Sequence, residues 1–362
     1  MSRILVIDDD DTIRQFLVRH LTRVGYEAGS AENGLLGIEA AIRTIPDLVL
    51  LDVDMPVMDG IETLKKFRSN ETLRLVPVVM VTSFSEKKDV LTALKHGAND
   101  YVIKPFDMGV LLGKLTGWLN TSVEDHWGSI NPAVGQALRL VKAAMENSFI
   151  AARKFQALPI DEIRKACEAL YEAVETAGAF GILRAVEAYK SNLFLHSLLV
   201  AMYLMLYSKS RRDLKADTVT IGMGGLLHDI GSSLLPETIT FKPDKLQPDE
   251  FEKVKLHVEH GALIMDNTPD VPPIVKDMCR NHHERMDGSG YPNGLKGDDI
   301  SVAARTLSIV ETFAALTNTT VYRDALDIKM AFIEMQLREW EFDKKIMHSF
   351  AEAATGGFVA KE

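Results

Sequence analysis

Apolar runs at 3–7, 48–53, 77–82 and 100–103, rich in Ile, Val and Leu, punctuate the first 120 residues, and a weaker run lies at 26–30. Between them, 12–23, 33–43, 60–68, 86–96 and 107–119 carry apolar residues at helical spacing. Five strands alternating with five helices imply a doubly wound α/β domain with a five-stranded parallel sheet. Ligands of such sheets bind outside the carboxyl ends of the strands, where this sequence places its acidic residues. From Pro159 onward the alternation stops, and almost everything reads as helix around loops at 231–248 and 286–300. This predicts an all-α second domain. At 362 residues the chain exceeds what one core usually supports.

The expected organisation is an α/β domain over 1–121, a linker helix over 122–158 and a helical domain over 159–362. Gly128 and Asn131-Pro132 mark a joint, followed by a helix to about Leu158. Within it Val134, Leu138, Val141, Met145, Ser148, Ala152 and Phe155 fall on one seam. That seam either forms a short coiled coil, and with it a homodimer, or packs on its own domain.

Composition narrows the partners. A net charge of −10 disfavours nucleic-acid backbones and anionic membranes. The most apolar window, 193–207, contains His196 and falls short of a span. Asp8 interrupts the first apolar run before a signal-peptide core forms. Cys167 and Cys279 are too few for a disulfide framework. The expectation is a cytoplasmic protein with no membrane or nucleic-acid partner.

The first strand runs into Asp8-Asp9-Asp10-Asp11, with Asp11 a candidate cap for the helix from Thr12, and the third ends at Asp52. Parallel strands ending together bring Asp8, Asp9 and Asp52 into one acidic cup, whose carboxylates repel unless a hard cation such as Mg²⁺ joins them. Such a cup can present a phosphoryl donor to an Asp nucleophile. Thr82 ends another strand with a hydroxyl, and Lys104-Pro105 ends the last with an ammonium. The strings Ile4-Leu5-Val6-Ile7-Asp8-Asp9-Asp10, Leu51-Asp52-Val53-Asp54-Met55-Pro56, Val81-Thr82-Ser83 and Lys104-Pro105-Phe106 closely resemble response-regulator receiver domains. The resemblance implies that Asp52 accepts phosphate from a histidine kinase. It implies Mg²⁺ among Asp8, Asp9, Asp52 and the Asp54 carbonyl, with Thr82, Lys104 and Tyr101 as switch residues.

Six of the ten histidines lie between His196 and His283. The ligand candidates are His196, the pair His228-Asp229, His257, the pair His282-His283, and Glu311. Five imidazoles and two carboxylates suit first-row transition metals and are too many for one ion. With Asp229 bridging, two ions each receive four protein ligands, and a hydroxide between them can attack phosphorus. His260 reads as a surface or supporting group, and Gly222, Gly224 and Gly225 as allowing close helix packing.

The string from His282-His283-Glu284 through Asp287-Gly288-Ser289-Gly290-Tyr291-Pro292, with His228-Asp229-Ile230-Gly231 and Lys255-Leu256-His257 upstream, closely resembles the HD-GYP family. That family is a helical bundle hydrolysing cyclic di-GMP. The resemblance assigns His196, His228, Asp229, His257, His282, His283 and Glu311 as ligands of two transition metals, Fe or Mn by preference. It makes Gly288, Gly290, Tyr291 and Pro292 a substrate or partner surface, with a diguanylate cyclase as a possible partner. The chain departs from the family where Ser232 replaces the usual Lys, Glu311 an Asp, Ala314 an Asp and Thr320 an Arg. Arg323 keeps a basic group nearby, and Asn192 is not the acid of three-metal members. The expected function is a response regulator in which phosphorylation at Asp52 controls cyclic di-GMP hydrolysis. The alternative is a catalytically weakened module that binds metal and acts through protein contacts.

Overall fold

A computed structural model describes residues 2–83, 93–187, 189, 193–209, 211–214, 216–236, 239, 246–318 and 325–356. The chain forms two compact units that divide between Ser122 and Val123.

In the first unit, five parallel strands form one sheet: β1 (Arg3–Ile7), β2 (Glu27–Ala31), β3 (Leu48–Asp52), β4 (Val78–Thr82) and β5 (Asp100–Ile103), in the order β2-β1-β3-β4-β5. The weak run near Tyr26 is thus an edge strand, which explains its poor apolar signal. The inner strands are buried on both faces. Leu5, Ile7, Val49, Leu51, Val78 and Met80 enter one core, and Ile4, Val6, Leu48, Leu50, Val79 and Val81 the other. Helices α1 (Asp11–Arg23), α2 (Gly34–Arg43) and α3 (Gly60–Ser69) form the crossovers. The helix expected over 86–96 falls largely outside the described residues. The cap of α1 is Asp10 rather than Asp11: its carboxylate accepts from the Thr12 and Ile13 amides. Because Ile7 pairs with Leu51, Asp52 with Val81 and Thr82 with Ile103, the strand ends at Asp8, Asp52, Thr82 and Lys104 align at one sheet edge.

The joint expected over 121–132 is helix for most of its length. Helix α4 (Met108–Ile130) runs through Gly128, and the chain breaks only at Asn131, which caps α5 (Pro132–Arg153) by accepting from Ala133 and Val134. Packing overrides the local breakers, since Trp127 is fully buried in the second unit's core. That core also takes Val134, Leu138, Val141, Met145 and Ala152, so the seam is spent inside its own unit. Helix α5 stops short of Leu158. Phe155 takes a positive φ of 54° and is 78% exposed, so the seventh seam position faces away.

The rest of this unit is helical: α6 (Ile160–Val186, interrupted at Gly178), α7 (Leu193–Ser208), α8 (Thr218–Leu227), α9 (Pro248–Asp266), α10 (Pro273–Asn281), α11 (Val302–Thr317), α12 (Ile328–Gln336) and α13 (Lys344–Gly356). Helix α7 is apolar on every face because every face is covered. The glycines of α8 act as expected. A Cβ at Gly222 or Gly224 would overlap Met205 or Met278, and one at Gly225 would press on the Ala201 backbone. No helix among the described residues is long and apolar enough to cross a membrane.

Candidate metal centres

Two sites follow from these frames. At the sheet edge, ligand atoms of Asp8, Asp9 and Asp52 lie within 4.8 Å of one another. Lys104 Nζ donates to Asp8 Oδ2 at 2.8 Å and to Asp52 Oδ1 at 3.0 Å. Burial pushes the Asp52 carboxyl up to about 6, against the downward pull of Lys104. The Thr82 side chain is buried at the end of β4, and its carbonyl accepts from the Lys104 amide at 2.7 Å. Asp54 is exposed and its carboxylate is outside the cluster. Tyr101 is half-buried, with Lys114 Nζ 5.7 Å from its ring centre.

In the helical unit, His196 comes from α7, His228 closes α8, His257 sits on α9, His282 closes α10, and Glu311 lies on α11. Three of these imidazoles are anchored alike. The Nδ1 of His228 donates to the Gly225 carbonyl at 2.8 Å, that of His257 to Val254 at 2.7 Å, and that of His282 to Cys279 at 2.9 Å. A carbonyl only accepts, so each Nδ1 carries a proton and each Nε2 is the nitrogen left to face inward. Backbone anchoring of this kind fixes metal-binding histidines.

The inward atoms form two groups, each within 4.8 Å: Asp229 with His257, His282 and His283, and Asp229 with His196 and His228. Asp229 belongs to both. Its Oδ1 lies 3.1 Å from His257 Nε2 and 3.5 Å from His282 Nε2, and its Oδ2 lies 3.5 Å from His228 Nε2. The Nε2 atoms of His257 and His282 approach to 3.3 Å, and the buried Nε2 of His228 has no hydrogen-bond partner. Two ring nitrogens this close need a proton or a cation between them, and with the orphaned His228 Nε2 and the shared Asp229 the donor set fits divalent metal. Burial opposes charge on Asp229, but the His228 and His257 imidazoles outweigh it and hold its carboxyl well below the usual range. Burial pulls the pKa of His196, His228 and His283 down, toward the neutral form that coordinates, whereas for His257 the pull of Asp229 outweighs burial and raises it.

Glu311 is outside both groups: its Oε1 is 3.9 Å from His196 Nε2, and its other oxygen accepts from Thr312. His260 also lies apart, half-buried, with an unpartnered Nδ1. Ser232 sits in the 3₁₀ turn Ile230–Leu234, its amide donating to the Asp229 carbonyl. Gly231 lets that turn touch α9, because a Cβ there would overlap the His257 carbonyl. Thr320, Arg323 and Asn192 lie outside the described residues.

The loop after His283 is held by a residue with no assigned role in the sequence reading. Glu284 is 2% exposed, and its carboxylate accepts the Asn293 amide at 2.8 Å and the Leu295 amide at 2.9 Å. Arg285 beside it bonds the Ser308 hydroxyl and the His282 carbonyl. The Tyr291 amide donates to the His283 carbonyl, and its ring stacks on His283 at 4.6 Å between centres. A Cβ at Gly290 would overlap that same carbonyl. Gly288 takes a φ of 81° within the loop, and Pro292 follows Tyr291. An acid directly before a Gly-rich loop full of free amides was the available signal for Glu284.

The family model for the response regulator receiver domain matches residues 4–116, and that for the HD domain matches 184–346. Over its first third the chain is 38% identical to chemotaxis protein CheY1 of Helicobacter pylori, covering 98% of that protein. This chain is a response regulator, a receiver domain fused to an HD domain. The receiver is the sheet unit, and the HD domain holds the histidine cluster. Receiver domains bind Mg²⁺ and work with histidine kinases, and HD domains are metal-dependent hydrolases. Relatives that span both domains include two named as phosphodiesterases. A probable cyclic di-GMP phosphodiesterase of Vibrio cholerae is 27% identical over 96% of this chain and 76% of its own length. A cyclic di-GMP phosphodiesterase of Thermotoga maritima is 27% identical over 92% of this chain and 85% of its own length.

Proposed function

We propose that this response regulator hydrolyses cyclic di-GMP at a two-metal centre in its HD domain, and that phosphorylation of Asp52 by a histidine kinase controls the rate. The observation that carries the reading is Asp229, shared between two ligand groups. His257, His282 and His283 would hold one ion and His196 and His228 the other, with Asp229 between and Glu311 completing the second group by a small movement of its side chain. Fe or Mn suits this imidazole-rich set. Such ions supply Lewis-acid chemistry, activating water and neutralising charge at a phosphodiester. The chain's own part is orientation. Backbone carbonyls fix three imidazoles with Nε2 inward, and the clasped loop, with Gly288, Gly290 and Pro292, holds Tyr291 against His283.

In the receiver, Asp8, Asp9, Asp52 and the Asp54 carbonyl would hold Mg²⁺. Asp52 is the nucleophile, Lys104 bridges it to Asp8, and Thr82 and Tyr101 respond to the added charge. The expected result is hydrolysis of cyclic di-GMP by Mn-loaded protein, at a rate changed by a phosphoryl mimic. In the Asp52→Asn variant that change should vanish. No turnover in either state, with two ions bound per chain, overturns the reading.

Ser232 favours a second reading, a module that binds metal and nucleotide but cleaves poorly. A hydroxyl supplies no charge where a phosphate must be held, and losing one electrostatic stabiliser costs roughly 10²–10³ in rate. Ser232→Lys should then raise turnover by at least about tenfold. An unchanged rate discards this second reading. A protein partner such as a diguanylate cyclase would belong to it.

A further inference from the structure

Helix α9 carries a second feature on the same stretch as His257. The ammonium of Lys255 lies 5.2 Å from the centre of the Phe251 ring and 5.5 Å from that of Tyr291. Tyr291 in turn stacks on His283, one of the imidazoles grouped with Asp229. A cation is therefore held between two aromatic rings, one residue away from the histidine cluster.

Its ion pair is with Glu252 at 2.7 Å, on the same helix, where Glu252 is two-thirds exposed. An exposed pair of this kind is worth little, and Lys255 gives it up at small cost. The Lys255 side chain is 31% exposed, and Phe251 is exposed as well. An exposed phenylalanine beside a lysine at the rim of a metal-type cluster contributes little to the core. Ring faces next to a cation are what binds nucleotides, the base by stacking and the phosphate by charge.

We propose that Lys255, framed by Phe251 and Tyr291, is the phosphate-binding cation of this site, and that Phe251 offers its ring to a guanine base. The inference rests on the reading of the HD domain as a cyclic dinucleotide phosphodiesterase. It adds a cation that anchors the ligand and does not replace the charge absent at Ser232. Lys255 approaches from α9, on the tyrosine side of the cluster, whereas Ser232 lies in the turn after Asp229. The phosphate it holds is thus the one anchoring the ligand at the rim, and its interaction is equal in ground and transition states.

The test is equilibrium dialysis of full-length, Mn-loaded protein against the phosphorothioate analogue of cyclic di-GMP, which resists cleavage, so that binding is read without turnover. Lys255→Gln should weaken binding roughly tenfold, the lower end for a charge-assisted hydrogen bond. Lys255→Arg should restore most of it, and Phe251→Ala should weaken it without changing its salt dependence. In hydrolysis, the loss should appear in KM with kcat retained. Metal content and melting temperature should match the parent protein. Parent-like binding by Lys255→Gln overturns the subsite alone, as does a loss that tracks metal content. Absence of binding by the parent protein overturns the subsite together with the phosphodiesterase reading.

Discussion

Replacing Asp229 with Asn should empty both metal positions at once and lower hydrolysis of cyclic di-GMP by at least about 10³-fold. Groups that merely orient a ligand cost about 10–100-fold when removed, and Asp229 does more. Among the described residues it is the one whose oxygens reach both ligand groups, with Oδ1 toward His257 and His282 and Oδ2 toward His228. Asn keeps the shape and one acceptor oxygen but removes the negative charge that faces both groups. His196→Ala should act differently, since His196 belongs to one group only. It should leave about one ion per chain. Metal analysis of the two purified variants, beside a circular dichroism check of folding, reads the contrast directly. Two ions retained in Asp229→Asn would refute the shared-ligand arrangement.

Removal of the Glu284 carboxylate should produce the largest loss of stability among single changes near the site. Glu284→Ala strands two amides, those of Asn293 and Leu295, that now donate to a carboxylate buried to 2% exposure. Hydrogen bonds to a charged group contribute about 1.5–3 kcal/mol each, so losing the pair should cost about 3 kcal/mol. For a domain of this size that lowers the melting temperature by about 6–12 °C. Glu284→Gln keeps one acceptor oxygen and should lose about half as much. The same change should loosen Tyr291, whose amide is tied to His283 at the foot of this loop. Differential scanning calorimetry measures the shift, and a melting temperature within about 1 °C of the parent would remove Glu284 from its role as the loop's clasp.

The receiver was legible almost to the residue, because its signals are local. Strands buried on both faces read as unbroken apolar runs, and parallel pairing in register lines up their ends without further information. The helical unit was legible in its histidines and much less in what holds them. Nothing in the string around Glu284 states that its partners lie nine and eleven residues ahead, since loop hydrogen bonds have no period. Gly128 signals a break that tertiary packing around Trp127 overrides. The seven-residue seam read as one surface, yet its last member, Phe155, lies beyond the helix end, where the backbone turns left-handed. A heptad pattern records which side chains are apolar, not where the helix that carries them stops.

One contact gives the linker helix a role beyond filling the core. At the end of α5, Arg153 Nε donates to the carbonyl of Ser233 at 3.0 Å, eighty residues further along the chain. Ser233 belongs to the 3₁₀ turn that begins directly after Asp229. The helix entered through Asn131 is thus fastened at its far end to the turn that carries the shared carboxylate. A fastening transmits load both ways. Whatever rotates α5 strains the position of Asp229, and whatever rigidifies Asp229 must quiet α5. Filling the histidine cluster should therefore slow amide exchange along Pro132–Arg153.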